Sequence, residues 1–223
     1  MGQRNSEKTV TSMTYDLNIQ SNVPLNSLTT FRIGGRAKYF IEVKDSRELS
    51  AAVEFAKEKG LPIFILGGGS NILVGDKGFG GVVIKFSGDA IEFKKKDGKV
   101  LVEAQAGAVW DDLVKEAVER GLYGIECLSG IPGSVGAAPV QNIGAYGQEL
   151  EDVFSHLEAF DLKKHKIVRF ERQDCKFGYR DSVFKRDENK GRYFIVRVGL
   201  ELNKKGSPNI TYNSLKGYLE EKG

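Results

Sequence analysis

Cysteine and histidine are scarce in this chain of 223 residues. Cys127, Cys175, His156 and His165 are the whole supply, too few and too widely spaced for a four-ligand zinc site, and no metal is expected. One possible disulfide is no framework for a secreted domain, so a cytoplasmic location is expected. No run of ~20 apolar residues is present to span a bilayer, and MGQRNSEKTV lacks the apolar centre of a signal peptide. Excess charge of one sign is also missing. The 33 Lys+Arg against 30 Asp+Glu leave a net charge of +3, and the basic runs Lys94–Lys96 and Lys163–Lys166 read as solvated hairpin turns. Neither nucleic acid nor membrane is therefore expected as a partner. With 40% hydrophobic and 28% charged residues the composition is that of a folded protein. Glycine is what the chain has in excess: 27 residues, against about 16 at ordinary usage. Glycine serves where backbone turns tightly or approaches a ligand closely.

Residues 1–16 are expected to form a flexible N-terminus. Arg36–Val43 reads as a strand, and Asp45 with Glu48 opens a helix whose Leu49, Ala52, Val53 and Ala56 share a face up to the stop at Gly60. Pro62–Leu66 is a short apolar strand. Gly81–Phe86, Ala90–Phe93 and Val100–Ala104 read as strands of a mostly antiparallel sheet. A second helix places Trp110, Leu113, Val114, Ala117 and Val118 on one face and ends at Gly121. A hairpin over 155–170, a strand over Tyr193–Leu202 and an amphipathic start at Ser214 aligning Leu215, Tyr218 and Leu219 complete an α+β pattern. His156 and His165 fall in the hairpin, where solvated positions are expected, and both cysteines read as small buried packing residues.

Three segments carry possible chemistry. Ile65–Leu73 places Gly67, Gly68 and Gly69 directly after a strand, followed by Ser70 and Asn71. Such a turn lets successive backbone N–H groups close on an anion, with the Ser70 hydroxyl and Asn71 amide as further bonds, or it is simply a tight strand exit. It is no dinucleotide fingerprint, because Ile72 stands where the third glycine belongs. Cys127–Gln148 has no formal charge but five glycines and two prolines. This is buried irregular backbone, bonded either to protein alone or to a large flat ligand rich in acceptors, such as an isoalloxazine. Cys175–Lys185 gathers Tyr179, Arg180, Asp181 and Ser182. There Arg180 either clamps a carboxylate with its two-pronged guanidinium or pairs with Asp181. Its Ser-Val-Phe-Lys lacks the partner motifs of a β-lactamase.

In order, Thr30–Gly35, Leu66–Asn71, Gly130–Gly147 and Phe177–Lys185 resemble the UDP-N-acetylenolpyruvoylglucosamine reductase family, flavoenzymes of peptidoglycan precursor synthesis. The resemblance runs from about Val23 to Leu219. It implies an FAD-binding fold of the vanillyl-alcohol-oxidase type, in which subdomains 17–85 and 86–203 sandwich a non-covalent FAD. Gly67, Gly68, Gly69, Ser70 and Asn71 would contact the pyrophosphate. Ile131, Pro132, Gly133, Ser134, Gly136, Ala137, Gln141, Asn142, Gly144 and Tyr146 would wrap the flavin. NADPH is the implied co-substrate and a UDP-sugar carrying an enolpyruvyl group the implied substrate. Arg180 matches the catalytic arginine of the family, and Tyr179 and Tyr212 match substrate-binding positions. Family members continue into a third domain that supplies a proton-donating serine and a late glutamate, which nothing here matches. Residues 204–223 are expected to begin the connection to that domain, present as a separate partner or absent. The alternative is a non-catalytic FAD-binding fragment, or a flavin carrier that requires a partner.

Overall fold

The computed structural model describes residues 17–222; the expectation for residues 1–16 lies outside the described residues. β1 (Ile19–Pro24) and β2 (Arg36–Val43) pair antiparallel, and helix α1 (Ser46–Glu58) then carries the chain to β3 (Ile63–Leu66) and β4 (Phe79–Phe86). The sheet order is β1-β2-β4-β3, with β4 parallel to both neighbours. The Asp45 side chain caps α1 by accepting from the N–H groups of Arg47 and Glu48, while the Glu48 carboxylate reaches back to the Lys44 N–H at 2.8 Å. Leu49, Ala52, Val53 and Ala56 bury against Ile41, Val43, Val82 and Ile84, so the helical stripe and the strands make one core.

Here the structure corrects the sequence. β4 does not join the antiparallel sheet that follows. Val82, Val83 and Ile84 are consecutive and all fully buried, which suits a central parallel strand covered on both faces. The second sheet is wholly antiparallel, in the order β10-β9-β11-β6-β5. Its members are β5 (Ile91–Lys96), β6 (Lys99–Gln105), β9 (Phe154–Asp161), β10 (Lys166–Glu171) and β11 (Tyr193–Asn203). Between them lie α2 (Trp110–Glu119), the two-residue strands β7 (Gly144–Ala145) and β8 (Gln148–Glu149), and the short helix α3 (Arg172–Cys175) that follows β10. α2 buries Trp110, Leu113, Val114 and Ala117 on one face of this sheet. Val118, at the margin of that stripe, is half exposed. The last helix, α4 (Asn213–Lys222), buries no residue: of the stripe expected from Leu215, Tyr218 and Leu219, Leu215 is half-buried and the other two are exposed. Phe86, Ala106, Phe160, Phe194 and Val196 join the first core and tie the two sheets together.

Two expectations for single residues also change. His156 is buried, not solvated: Gly199 on the adjoining β11 leaves room for its ring, where an added Cβ would lie 2.4 Å away. Its Nε2 meets Glu103 at 3.2 Å. Cys127 is only partly buried, whereas Cys175 is fully so. His165 sits in the turn as expected and meets Glu54 at 3.0 Å.

Asp161 closes the β9–β10 hairpin. Its fully buried carboxylate accepts from Arg192 Nη2 at 2.8 Å and Nε at 3.1 Å, and from the turn N–H groups of Lys163 and Lys164. The Arg192 hydrogen bonds outweigh burial and hold its pKa down at about 2, from 3.8. A carboxyl depressed this far contributes stability that is present above the unfolded value and lost as pH falls through the folded one. Asp161→Asn should therefore lower stability to urea by about 2 kcal/mol at pH 7. The deficit should shrink steadily as pH is lowered from 3.8 toward about 2; a deficit independent of pH would show that the pair does not work through charge.

Candidate functional site

The strand exit after β3 and the uncharged segment, argued separately from sequence, touch each other. A Cβ on Gly68 would lie 2.8 Å from the Gly133 Cα, and one on Gly136 would lie 2.5 Å from the Ala106 Cβ. Ser70 Oγ donates to the Pro132 carbonyl at 3.0 Å, and Asn71 Nδ2 donates to Gln141 Oε1 at 2.9 Å. Gly69, at φ +70°, packs on the preceding loop, where its added Cβ would lie 2.0 Å from the Leu28 carbonyl oxygen, and its own carbonyl accepts from the Thr30 N–H. Gly68 and Gly69 thus have packing reasons to be glycine that involve no ligand.

These segments wall a cavity of about 300 Å³. Gly67, Gly68, Gly69, Ser70 and Asn71 form one side, and Ile131, Pro132, Gly133, Ser134, Gly136, Ala137 and Gln141 another. Phe86, Ala106, Trp110, Tyr193, Phe194 and Ile195 make the third side largely apolar, and Lys185 is the one charged residue in the lining. Sequence reading missed these seven. Trp110 reads as part of a helix packing face, and the lining run Tyr193–Ile195 reads as an ordinary buried strand. Lys185 alone carried a signal, its place in the Tyr-Arg-Asp-Ser segment.

The donor chemistry of the cavity is unusual. Among the described residues, the backbone N–H groups of Gly68, Gly69, Ser70 and Asn71 donate to no protein acceptor. Gly69 is buried and Ser70 half-buried, while Gly68 and Asn71 reach solvent; four free N–H groups in succession make an anion-binding concavity. An acceptor-rich diphosphate joined to flat apolar rings matches this lining, so the residues present fit FAD.

Asn142, Gly144, Tyr146, Tyr179, Arg180 and Tyr212 do not line the cavity. The Arg180 backbone is left-handed, φ +53°, and its guanidinium donates to the carbonyls of Asn142, at 3.4 Å, and of Gly144. It makes no ion pair with Asp181, whose backbone instead pairs with Gly178. Asn142 is fully buried beneath it. Tyr179 is 83% exposed, with the Arg180 guanidinium 5.6 Å from its ring centre. Tyr146 and Tyr212 meet edge to face at 5.7 Å, because the segment before Tyr212 is strapped to the uncharged run. Glu126 accepts from the N–H of Asn209 at 3.1 Å, from Gln148 Nε2 at 2.8 Å and from the N–H of Gly124 at 2.6 Å. Burial raises the Glu126 carboxyl, but these donors together hold it below its ordinary value.

The family model described as an FAD binding domain matches residues 37–171. The chain is 43% identical over 209 residues to the UDP-N-acetylenolpyruvoylglucosamine reductase of Pseudomonas aeruginosa, a match covering 93% of this chain and 60% of the relative. The chain thus spans about 60% of that relative's length. The structure of UDP-N-acetylenolpyruvylglucosamine reductase (MurB) from Thermus caldophilus superposes with a TM-score of 0.67 at 30% identity, over 92% of this chain and 67% of the other. Cholesterol oxidase from B. sterolicum shares the fold, with a TM-score of 0.62 at 16% identity over 84% of this chain and 38% of the other.

Gly69→Ala should destabilise the ligand-free chain. It adds the ~1–2 kcal/mol cost of a left-handed L-residue to a collision with the Leu28 carbonyl, which corresponds to a fall in melting temperature of roughly 5 °C or more. Gly67→Ala, whose added Cβ comes no nearer than 3.3 Å to any neighbour, should lose much less. Equal melting temperatures for the two variants would remove the packing explanation.

Proposed function

The chain belongs to the UDP-N-acetylenolpyruvoylglucosamine reductase family of FAD-binding domain proteins, and from that membership we propose that it binds FAD non-covalently across the cavity between its two sheets. Subdomains 17–85 and 86–203 lie on either side of the cofactor in this reading. The observation that carries it is the run of four unbonded N–H groups from Gly68 to Asn71 on the wall of an otherwise apolar cavity. These groups receive the diphosphate with oriented dipoles and need no counter-charge. Gly67, Ser134, Gly136 and Ala137 allow the close approach of a flat ring system.

We assign to the family activity the NADPH-dependent reduction of the enolpyruvyl group of UDP-N-acetylglucosamine enolpyruvate to UDP-N-acetylmuramate, in peptidoglycan precursor synthesis in the cytoplasm. FAD held by Gly67–Asn71 and the 131–141 segment would supply the hydride chemistry that links NADPH to the enolpyruvyl double bond. Arg180 supplies the positive charge beside which carbanion character develops. Its planar fork matches a substrate carboxylate, and its rest on two carbonyls leaves that charge unneutralised. Tyr179 and Tyr212, both solvent-exposed and the second edge to face with Tyr146, are the rings offered to the UDP-sugar. Because this chain spans about 60% of its relative, a flavin-binding part that needs a partner domain for turnover is the second reading.

Mixed with FAD and passed through a sizing column, the chain should elute yellow with a flavin absorbance band, and acid precipitation should release all of the flavin to the supernatant. Colourless protein would sink the cofactor assignment; flavin retained on the denatured chain would sink the non-covalent one. For Arg180 the test needs a protein of the relatives' full length. There Arg180→Lys should leave FAD binding and oxidation of NADPH nearly intact and slow reoxidation by the enolpyruvyl substrate roughly thirty- to a thousand-fold, as expected for ~2–4 kcal/mol of charge-assisted bonding. Slowing of the NADPH step in stopped-flow traces would mean that Arg180 is structural.

A further inference from the structure

Arg180 owes its position to two backbone carbonyls, and those carbonyls owe theirs to Asn142. This residue is fully buried in the left-handed region, φ +43°, where asparagine is tolerated if its side chain is held. The side chain is held at every point. Nδ2 donates to Glu149 Oε2 at 2.8 Å, to the Gly178 carbonyl at 3.2 Å and to Glu151 Oε1 at 3.3 Å, and Oδ1 accepts from the Glu151 N–H at 3.0 Å. Gly144 stands opposite Glu149 in the β7–β8 ladder, and a Cβ there would lie 3.0 Å from both Arg180 Nη1 and Glu149 Cγ. The arginine and the acid thus press on the same residue from two sides.

We propose that Glu149 and Glu151 form a positioning pair for Arg180: their carboxyl groups hold the Asn142 side chain together, and through it the carbonyls of Asn142 and Gly144 on which the guanidinium rests. The two carboxyl groups converge on one Asn142 amide nitrogen, Glu149 Oε2 at 2.8 Å and Glu151 Oε1 at 3.3 Å. With both ionised, two like charges meet there and repel. The other charged groups facing Glu149 are Asp152, in the turn that follows β8, and Arg180; Arg172 of α3 lies 3.7 Å from Glu151. Burial first and the neighbouring Glu151 carboxyl second push the Glu149 carboxyl above its ordinary value. A carboxyl raised in the fold favours folding while protonated and loses that advantage as pH rises through its raised value. Glutamine at 149 mimics the protonated state, with an oxygen for the Asn142 amide and an N–H for Glu151.

That Arg180 meets a substrate carboxylate rests on the function proposed above; its placement by the acid pair does not, and it is read without any ligand. The probe is the side-chain Nε–Hε resonance of Arg180 in arginine-labelled protein, assigned by its disappearance in Arg180→Lys. In the wild-type chain this resonance should shift as pH rises through the raised value of the Glu149 carboxyl, above the ordinary glutamate range. In Glu149→Gln it should stay at its low-pH position throughout, and in Glu149→Ala it should be displaced at every pH. Glu149→Gln should also melt above wild type at neutral pH and match it once the wild-type carboxyl is protonated at low pH. A wild-type resonance that ignores pH, or one that titrates equally in Glu149→Gln, would overturn the proposal. A purely structural role for Glu149, such as capping the 150–152 turn, would change melting without moving the Arg180 resonance. Should Glu149→Gln not fold, Glu151→Gln removes the like charge opposite Glu149, and the Arg180 resonance should then move less with pH than in wild type.

Discussion

The constraint on which the cavity depends is the approach of two glycines from facing loops. Gly68, leaving β3, and Gly133, in the uncharged run, sit so near that a methyl group on the first would overlap the second's Cα. With side chains at either place the loops would part, and the Ser70 and Asn71 bonds that fasten them would lengthen beyond use. The cavity exists because they do not part. Its two polar walls are the same two loops, and its apolar wall is whatever β11, β4 and α2 present once the sheets are locked at that spacing.

From the same constraint follows the division of labour around the cavity. Anion contacts fall to backbone N–H groups, which are fixed by the fold and cost little to organise at the moment of binding. Side-chain cations stay at the margin, and both rest on neutral oxygens: Arg180 on the carbonyls of Asn142 and Gly144, Lys185 on the Arg180 carbonyl at 2.6 Å. Neither makes an ion pair among the described residues. A cation held this way keeps its full charge for a third party, whereas one paired with a carboxylate would have spent it.

How much of this was legible beforehand depended on whether the signal was local. Asp45 and Glu48 announced α1 because capping involves only neighbours in sequence, and the run of glycines after β3 announced a turn for the same reason. What failed was pairwise. That β4 inserts between β2 and β3 depends on burial of both its faces, and the alternation of its neighbours β5 and β6 did not extend to it. His156 looked solvated because hairpin turns usually are; the glycine that makes room for it lies 43 residues away, at Gly199 on another strand. The four-residue N–H run was readable as a possibility from Gly67–Asn71, yet only the absence of internal acceptors in the fold separates it from an ordinary strand exit. The Phe194 and Ile195 wall had no distinguishing mark at all.

Asn142 and Arg180 are both left-handed. Each stores roughly 1 kcal/mol or more of backbone strain, and each is held by bonds from the other's segment: Arg180 donates to the Asn142 carbonyl, and the Asn142 amide donates to the Gly178 carbonyl two residues before Arg180. Strain opposed by reciprocal bonds is cooperative, because releasing either residue removes the bond that restrains the other. A guanidinium set in such a loop does not drift by small amounts; it is either in place or released with the whole turn. For a group whose work is to meet a flat carboxylate with two parallel bonds, that all-or-none placement matters more than the energy of any single contact.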